Sequence, residues 1–214
     1  MSHFYCNIGK PVLDYVISVF ILVLVLPLII LISGLLSIVN SGVPFFIQER
    51  AGKNGRAFKL IKFKTMTDEK DDSGNLRPDS YRLTRIGKLL RDTSTDEIPQ
   101  LLNVIKGEMS LIGPRPLGTD YLPLYNDFQK RRHEVKPGLT GWAQIKGRNA
   151  LNWDEKFKLD IWYVDNLSFL VDIRIFFVTI KKVLKREGIG LAGAQIDSVA
   201  LEDFKGSVNN LDYN

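Results

Sequence analysis

Two adjacent carboxylates, Asp96 and Glu97, stand in the run Ser94-Thr95-Asp96-Glu97-Ile98-Pro99-Gln100, directly before the apolar positions Leu101, Leu102, Val104 and Ile105. A carboxylate can attack phosphorus and form an acyl phosphate when a cation screens it from its anionic substrate. Oxygen ligands from Asp96 and Glu97 suit Mg²⁺ for that purpose. The pair serves equally as an ordinary helix start, because acidic side chains are favoured at the positive end of a helix and Ser94 with Glu97 has capping-box spacing. Pro99 discriminates between the two start positions. With Ser94 as cap it falls fifth in the helix, where its missing N–H costs a bond; with Asp96 as cap it falls third, where that donor is unused. A helix is therefore expected to begin at Asp96, with both carboxylates at a terminus whose N–H groups also favour phosphate oxygens.

Candidate phosphate-binding cations lie further along. In Ile112-Gly113-Pro114-Arg115-Pro116 two prolines fix the backbone around Arg115, which reads either as a guanidinium presented to a phosphate or as a rigid turn with an exposed arginine. A Gly-rich pair of turns follows in Lys136-Pro137-Gly138-Leu139-Thr140-Gly141 and Gly147-Arg148-Asn149. Neither run matches a P-loop or the glycine pattern of a dinucleotide fold. Cys6 is the only cysteine, which excludes an internal disulfide, and with only His3 and His133 beside it no ordinary Cys/His zinc site is available.

Several elements must position these groups. Asn54-Gly55 separates Pro44-Phe45-Phe46-Ile47-Gln48 from the stretch Ala57 to Lys64, the pattern of a β-hairpin. Residues Thr67 to Ser80 carry acidic side chains, Gly74 and Pro78 without apolar period, and read as an exposed loop. From Arg82 to Arg91, Leu83, Ile86, Leu89 and Leu90 alternate with basic residues at helical spacing, which fits a membrane-interface helix as well as a surface helix on a globular core. A second apolar helix is expected from Leu167 to Lys185, and the glycine-rich stretch after Glu187 reads as a loosely held tail.

The first 40 residues differ in kind from the rest. Tyr15 to Val39 gives 25 residues without a charge, enough to cross a bilayer as helix and too long for the core of a signal peptide. Pro27 divides it into arms of about 18 Å each, so the segment reads as a kinked spanning helix or as a hinged one that enters and leaves by one face. Basic residues dominate after Val39 and place the body in the cytoplasm either way, while only Lys10 flanks the other end. With 29 Lys and Arg against 24 Asp and Glu, the net charge of +5 favours anionic partners without choosing among phosphates, acidic lipid and nucleic acid.

Taken together, Lys62-Phe63-Lys64-Thr65-Met66, Asp96-Glu97-Ile98-Pro99-Gln100, Gly113-Pro114-Arg115-Pro116, Pro137-Gly138-Leu139-Thr140-Gly141 and Gly147-Arg148-Asn149 resemble, in order and spacing, the bacterial sugar transferase family. These are the monotopic phosphoglycosyl transferases, and the likeness is to their short, PglC-like members. The resemblance implies a mostly helical α+β protein: a re-entrant membrane helix over 1–40, a cytoplasmic catalytic domain over 41–186 with amphipathic interfacial helices and a small β-hairpin, and a tail over 187–214. It implies residence on the cytoplasmic face of the bacterial inner membrane, and no nucleic-acid partner. The implied reaction moves a sugar-1-phosphate from a UDP-sugar, expected to be an N-acetylated amino sugar such as diacetylbacillosamine, to undecaprenyl phosphate. Asp96 would be the nucleophile, UMP would leave, and Asp96 with Glu97 would hold Mg²⁺. By motif position Lys62, Arg91, Arg115 and Arg148 would bind phosphates, and Asp160 would orient one of these cations or the ion. Two positions depart from the family: Leu26-Pro27 lacks the usual serine at the hinge, and Pro11 stands where a second basic residue often follows Lys10. Two other classes fit the same residues: a lipid glycosyltransferase that releases UDP, and a non-catalytic membrane-bound adaptor for anionic partners.

Overall fold

In the computed structural model, which describes residues 4–147, 151–185 and Phe204, the apolar N-terminal run is one helix. Tyr5–Gly9 make a π-helical turn and α1 continues from Lys10 to Val39, with Pro11 in its first turn and Pro27 inside it. The segment is long and apolar enough to cross a bilayer. Its middle is bare, with Phe20, Val23, Leu24, Ile30 and Leu31 exposed. Both of its ends are held by the same body. Toward the N-terminus, Asp14 accepts from Ser110 Oγ at 2.6 Å and from the Leu111 N–H at 3.3 Å. Toward the C-terminus, Ile32 and Leu36 are buried against Phe63 and Leu90, and Asn40 Nδ2 donates to the Lys64 carbonyl at 2.9 Å. Lys10, read from the sequence as a cation flanking the anchor, is instead buried and lies 2.7 Å from Asp172 Oδ2. The Tyr5 and Tyr163 hydroxyls also donate to Asp172, each at 2.7 Å, so this charge is spent on joining anchor to body.

The expected hairpin forms from β1 (Phe45–Ala51) and β2 (Ala57–Phe63), antiparallel with Phe45 opposite Phe63 and Phe46 opposite Lys62. Asn54 and Gly55 take φ values of 56° and 71°, left-handed conformations that these two residue types accept, within a five-residue connection closed by the Gly52 N–H donating to the Arg56 carbonyl at 2.8 Å. Asn103 locks this hairpin to the rest. Fully buried, it accepts from the Ile61 N–H at 3.2 Å and donates to the Lys59 carbonyl at 2.7 Å.

After the hairpin, residues Thr67 to Pro78 form most of the exposed loop expected over Thr67 to Ser80, organised by Asp71 Oδ1, which accepts from the N–H groups of Ser73 and Asn75. The basic amphipathic helix starts later than its periodicity suggested. Asp79–Arg82 is a separate short turn, α2, and α3 runs from Arg85 to Asp92. The reason is local: Leu83 is extended and bridges to Met66, and Thr84 caps α3 by accepting from the Gly87 N–H at 2.8 Å. Leu90 turns into the core beside the end of α1, while Leu89 stays exposed. A Cβ on Gly87 would come within 1.9 Å of the Thr65 carbonyl oxygen, so only glycine lets α3 lie this close to the end of β2.

Two short strands were not foreseen, nor were the helices within 127–166. β3 (Ser110–Ile112) pairs in parallel with β4 (Gly138–Thr140). This pairing presses the Gly113-Pro114-Arg115-Pro116 motif onto the Pro137–Gly141 motif, with Gly113 N–H donating to the Thr140 carbonyl and Gly138 N–H to the Pro114 carbonyl, each at 2.9 Å. A Cβ on Gly138 would sit 2.0 Å from the Gly113 nitrogen, which is why the two motifs meet through glycines. Short helices α4 (Leu101–Ile105), α5 (Asp127–Lys130) and α6 (Trp142–Lys146) fill the body. The longer α7 (Trp153–Asn166), started by an Asn152–Glu155 capping box, and α8 (Phe169–Lys185) close it. The main core joins Leu60, Leu101, Val104, Met109, Trp142, Tyr163 and Ile175 to Ile17 and Ile21 of α1. Fully burying such a side chain is worth on the order of 1.5–3 kcal/mol; Ile17 and Ile21 are partly buried here, so the N-terminal half of α1 is part of the fold of the body.

Candidate active site

The acidic pair does not begin an α-helix at Asp96. Residues Thr95–Gln100 form a 3-10 turn, α4 starts only at Leu101, and no side chain caps the turn. Pro99 explains the difference, since a 3-10 turn carries it without losing an α-helical bond. Ser94, just before the turn, has φ 55°, a left-handed conformation for a non-glycine residue of the kind found where a chain is forced into a functional geometry. It reverses the chain between α3 and the turn, so that Asp96 and Glu97 face cations delivered by three other elements.

Lys62 of β2 places its Nζ 3.3 Å from Glu97 Oε1, and Arg115 of the Pro-bracketed loop places Nη2 3.1 Å from the same oxygen. Arg91, in the last turn of α3, is oriented through its Nε, which donates to Thr65 Oγ1 at 2.9 Å. Asp96 feels all of them. Its carboxyl is pushed up to about 6, first by burial and then by the charge of Glu97, against the opposing pull of Lys62, Arg91 and Arg115. Three of the four cations expected from the sequence thus converge on the acidic pair, and Arg148 lies outside the described residues. Such a cluster can receive a phosphate whose charge the cations balance while a carboxylate lies alongside.

Asp160 has a different partner from the one expected. It is buried in α7 and gripped by Arg132, whose Nη2 and Nε donate to Asp160 Oδ2 at 2.8 and 3.1 Å. Arg132 in turn donates from Nη2 to the backbone carbonyl of Arg115 at 2.7 Å. Asp160 therefore reaches the cluster through an arginine that reading the sequence passed over. In Arg131-Arg132-His133-Glu134 that arginine looks like one more solvated charge, and the only clue was that a carboxylate among the apolar residues of α7 requires a buried partner. Lys156 was also missed. Its ammonium lies over the Trp153 ring at 4.7 Å, and its pKa is lowered by burial and by the nearby charge of Arg115. His133, beside Arg132, is held down to about 4 by burial and that arginine's charge, and its Nδ1 is 3.0 Å from the Gly52 carbonyl, so it is a neutral structural imidazole at physiological pH.

Asp96 and Glu97 are also the residues that could hold a divalent ion. Among the described residues no group of three or more His, Cys, Asp and Glu side chains is arranged for a metal. Two neighbouring carboxylates, one with its proton affinity raised by burial and then by the charge of the other, are nevertheless a fit for Mg²⁺, which takes one or two carboxylates and completes its shell with water and substrate phosphate.

Residues 5–186 match the model of the family described as bacterial sugar transferase, and the chain belongs to that family. It is similar to a Bacillus subtilis (strain 168) protein described as the uncharacterized sugar transferase EpsL, 52% identical over 198 residues that cover 92% of this chain and 96% of that one. Similarity also extends to the undecaprenyl-phosphate galactose phosphotransferase of Salmonella typhimurium, 36% identical over 84% of this chain and 41% of its own. The UDP-N-acetylgalactosamine-undecaprenyl-phosphate N-acetylgalactosaminephosphotransferase of Aeromonas hydrophila is 35% identical over 82% of this chain and 43% of its own. The chain thus spans less than half the length of these last two relatives, whereas it spans nearly all of the Bacillus protein.

Proposed function

We propose that this protein transfers a sugar-1-phosphate from a UDP-sugar to undecaprenyl phosphate by two displacements at one carboxylate. In the first, an Asp96 oxygen bonds to the β-phosphorus, the bond from that phosphorus to the bridging oxygen breaks, and UMP departs with the oxygen and its electron pair. In the second, a phosphate oxygen of the lipid bonds to the same phosphorus, the bond to Asp96 breaks, and the product is a polyprenyl diphosphate sugar. The observation that carries the reading is the convergence of Lys62, Arg91 and Arg115 on a carboxylate pair in which Asp96 titrates near 6. Asp96 is then largely ionised at neutral pH yet more basic, hence more nucleophilic, than an ordinary aspartate. Glu97 holds the Lys62 and Arg115 side chains toward the phosphates and receives the proton of an incoming lipid phosphate that arrives protonated. Mg²⁺, bound by Asp96 and Glu97, would supply charge neutralisation between the carboxylates and the diphosphate.

The anchor is read as re-entrant, because both ends of α1 pack on one body while its middle is bare; a spanning helix would leave one end free of that body. The exposed Leu170, Phe177 and Leu184 of α8, with Lys181 and Lys185 nearby, fit a helix resting at the same interface with its cations toward lipid phosphates. Orientation toward the cytoplasm follows from the basic body. The sugar is read as an N-acetylated amino sugar such as diacetylbacillosamine, and a panel including UDP-galactose and UDP-N-acetylgalactosamine tests that choice against the sugars named in the two relatives. Incubation with Mg²⁺, undecaprenyl phosphate and each donor should release UMP from one of them; release of UDP would identify a glycosyltransferase, and no nucleotide release from any donor would favour the adaptor.

A further inference from the structure

Phe204 is the one described residue beyond residue 185, and it is buried. Its ring stacks on Tyr121 with centroids 5.7 Å apart and planes at 10°, and meets Phe157 edge-on at 5.2 Å. Trp153 and Tyr125 complete the surround at 5.5 and 6.1 Å. Two of these rings are also the faces that confine Arg132, whose guanidinium carbon sits 5.9 Å from the Tyr125 centroid and 5.7 Å from that of Phe157. The Tyr125 hydroxyl accepts from Arg132 Nη1 at 3.3 Å as well. Asp160 fixes one edge of the guanidinium, the two rings fix its plane, and Nη2 on that plane holds the Arg115 carbonyl.

We infer that Phe204 is a positioning residue for Arg115, acting through Tyr125, Phe157 and Arg132: its ring closes the aromatic wall behind that arginine. Removing the ring leaves space into which Tyr125 and Phe157 relax. The guanidinium plane of Arg132 then tilts, and the carbonyl it holds moves with it. The consequence for turnover rests on the reading of Arg115 as a group that binds donor phosphate; the mechanical link does not.

The test uses the full-length protein in nanodiscs as wild type, Phe204→Ala and Phe204→Leu. Amide hydrogen exchange in the peptides carrying Arg115 and Arg132 is expected to speed up by about tenfold in Phe204→Ala, with no change in peptides carrying Asp14 and Ser110. With the donor from which wild type releases UMP, KM for donor is expected to rise roughly tenfold while kcat falls less than about threefold, and Phe204→Leu should recover most of both losses. Unchanged exchange around Arg115 and Arg132 overturns the inference. So does faster exchange spread evenly over the body, or a fall in kcat with donor KM unaltered, because these mark a residue that only supports the fold. Exchange is read without substrate, so a wild-type protein that releases no UMP would end the transfer reading while the positioning link is still decided.

Discussion

Arg115 belongs to two ionic clusters of opposite design, its carbonyl to one and its guanidinium to the other. Around Arg132 and Asp160 everything is closed: both groups are buried, the carboxylate is paired through one oxygen to two donors, and rings cover the guanidinium. Around Asp96 and Glu97 two carboxylates repel each other, three cations surround them, and the Arg115 side chain remains 40% exposed. A closed pair can only brace, since any new ligand would have to break bonds already made in a low dielectric. An open cluster with unresolved repulsion is suited to take up an anion and a metal ion. The difference separates the arginine proposed to bind from the one that fixes its position, though the two stand only 17 residues apart in the chain.

The comparison breaks first at Asp96. Asp96→Asn should cut turnover by roughly 10³-fold or more, as expected for removing a nucleophile, while circular dichroism and membrane association stay as in wild type; activity within tenfold would move Asp96 out of the chemistry. Next comes Asp160→Asn, which leaves the Arg132 charge buried without its counter-ion and should destabilise the body by about 3–5 kcal/mol in chemical denaturation. Less than about 1 kcal/mol there would show the closed pair to be as tolerant as a surface one.

A pH series sharpens the contrast. The rate at saturating donor should rise as pH passes through about 6, where Asp96 loses its proton, and level off above. Stability runs the other way: a carboxyl whose folded pKa is raised binds its proton more tightly when folded, so its contribution is present below the unfolded value near 3.8 and is lost as pH rises through about 6. Asp96→Asn should therefore be more thermostable than wild type at pH 8, with the gain shrinking toward pH 4. The smallest effect is expected at the exposed pair of Arg131 with Asp165, where Asp165→Asn should change stability by about 1 kcal/mol or less.

Features written in neighbouring residues were legible in the sequence. Asn54-Gly55 specifies its hairpin by left-handed turn chemistry alone, and the apolar length of α1 needs no partner to be seen. What failed depends on distant contacts or on competition between local rules. Pro99 is a constraint that the sequence does show, but the chain meets it with a 3-10 turn after a left-handed Ser94 and starts its α-helix only at Leu101, not at Asp96. Three-residue strands such as β3 and β4 carry no period, so the contact of the two glycine motifs appears only in three dimensions. A sequence shows a cation without its counter-ion, which is why Lys10 reads only as a flanking charge and Arg132 does not stand out; Asp172 and Asp160, which pair with them in the interior, lie 162 and 28 residues away.

Whether a covalent bond forms between Asp96 and the sugar phosphate is best decided by weighing the intact protein. With Mg²⁺ and the productive UDP-sugar but no lipid, the mass should increase by that of the sugar phosphate on an acid-trapped fraction of molecules, the increase should vanish on adding undecaprenyl phosphate, and Asp96→Asn should never show it. An unmodified mass under trapping conditions, with UMP released only when donor and lipid are bound together, would contradict the two-displacement account.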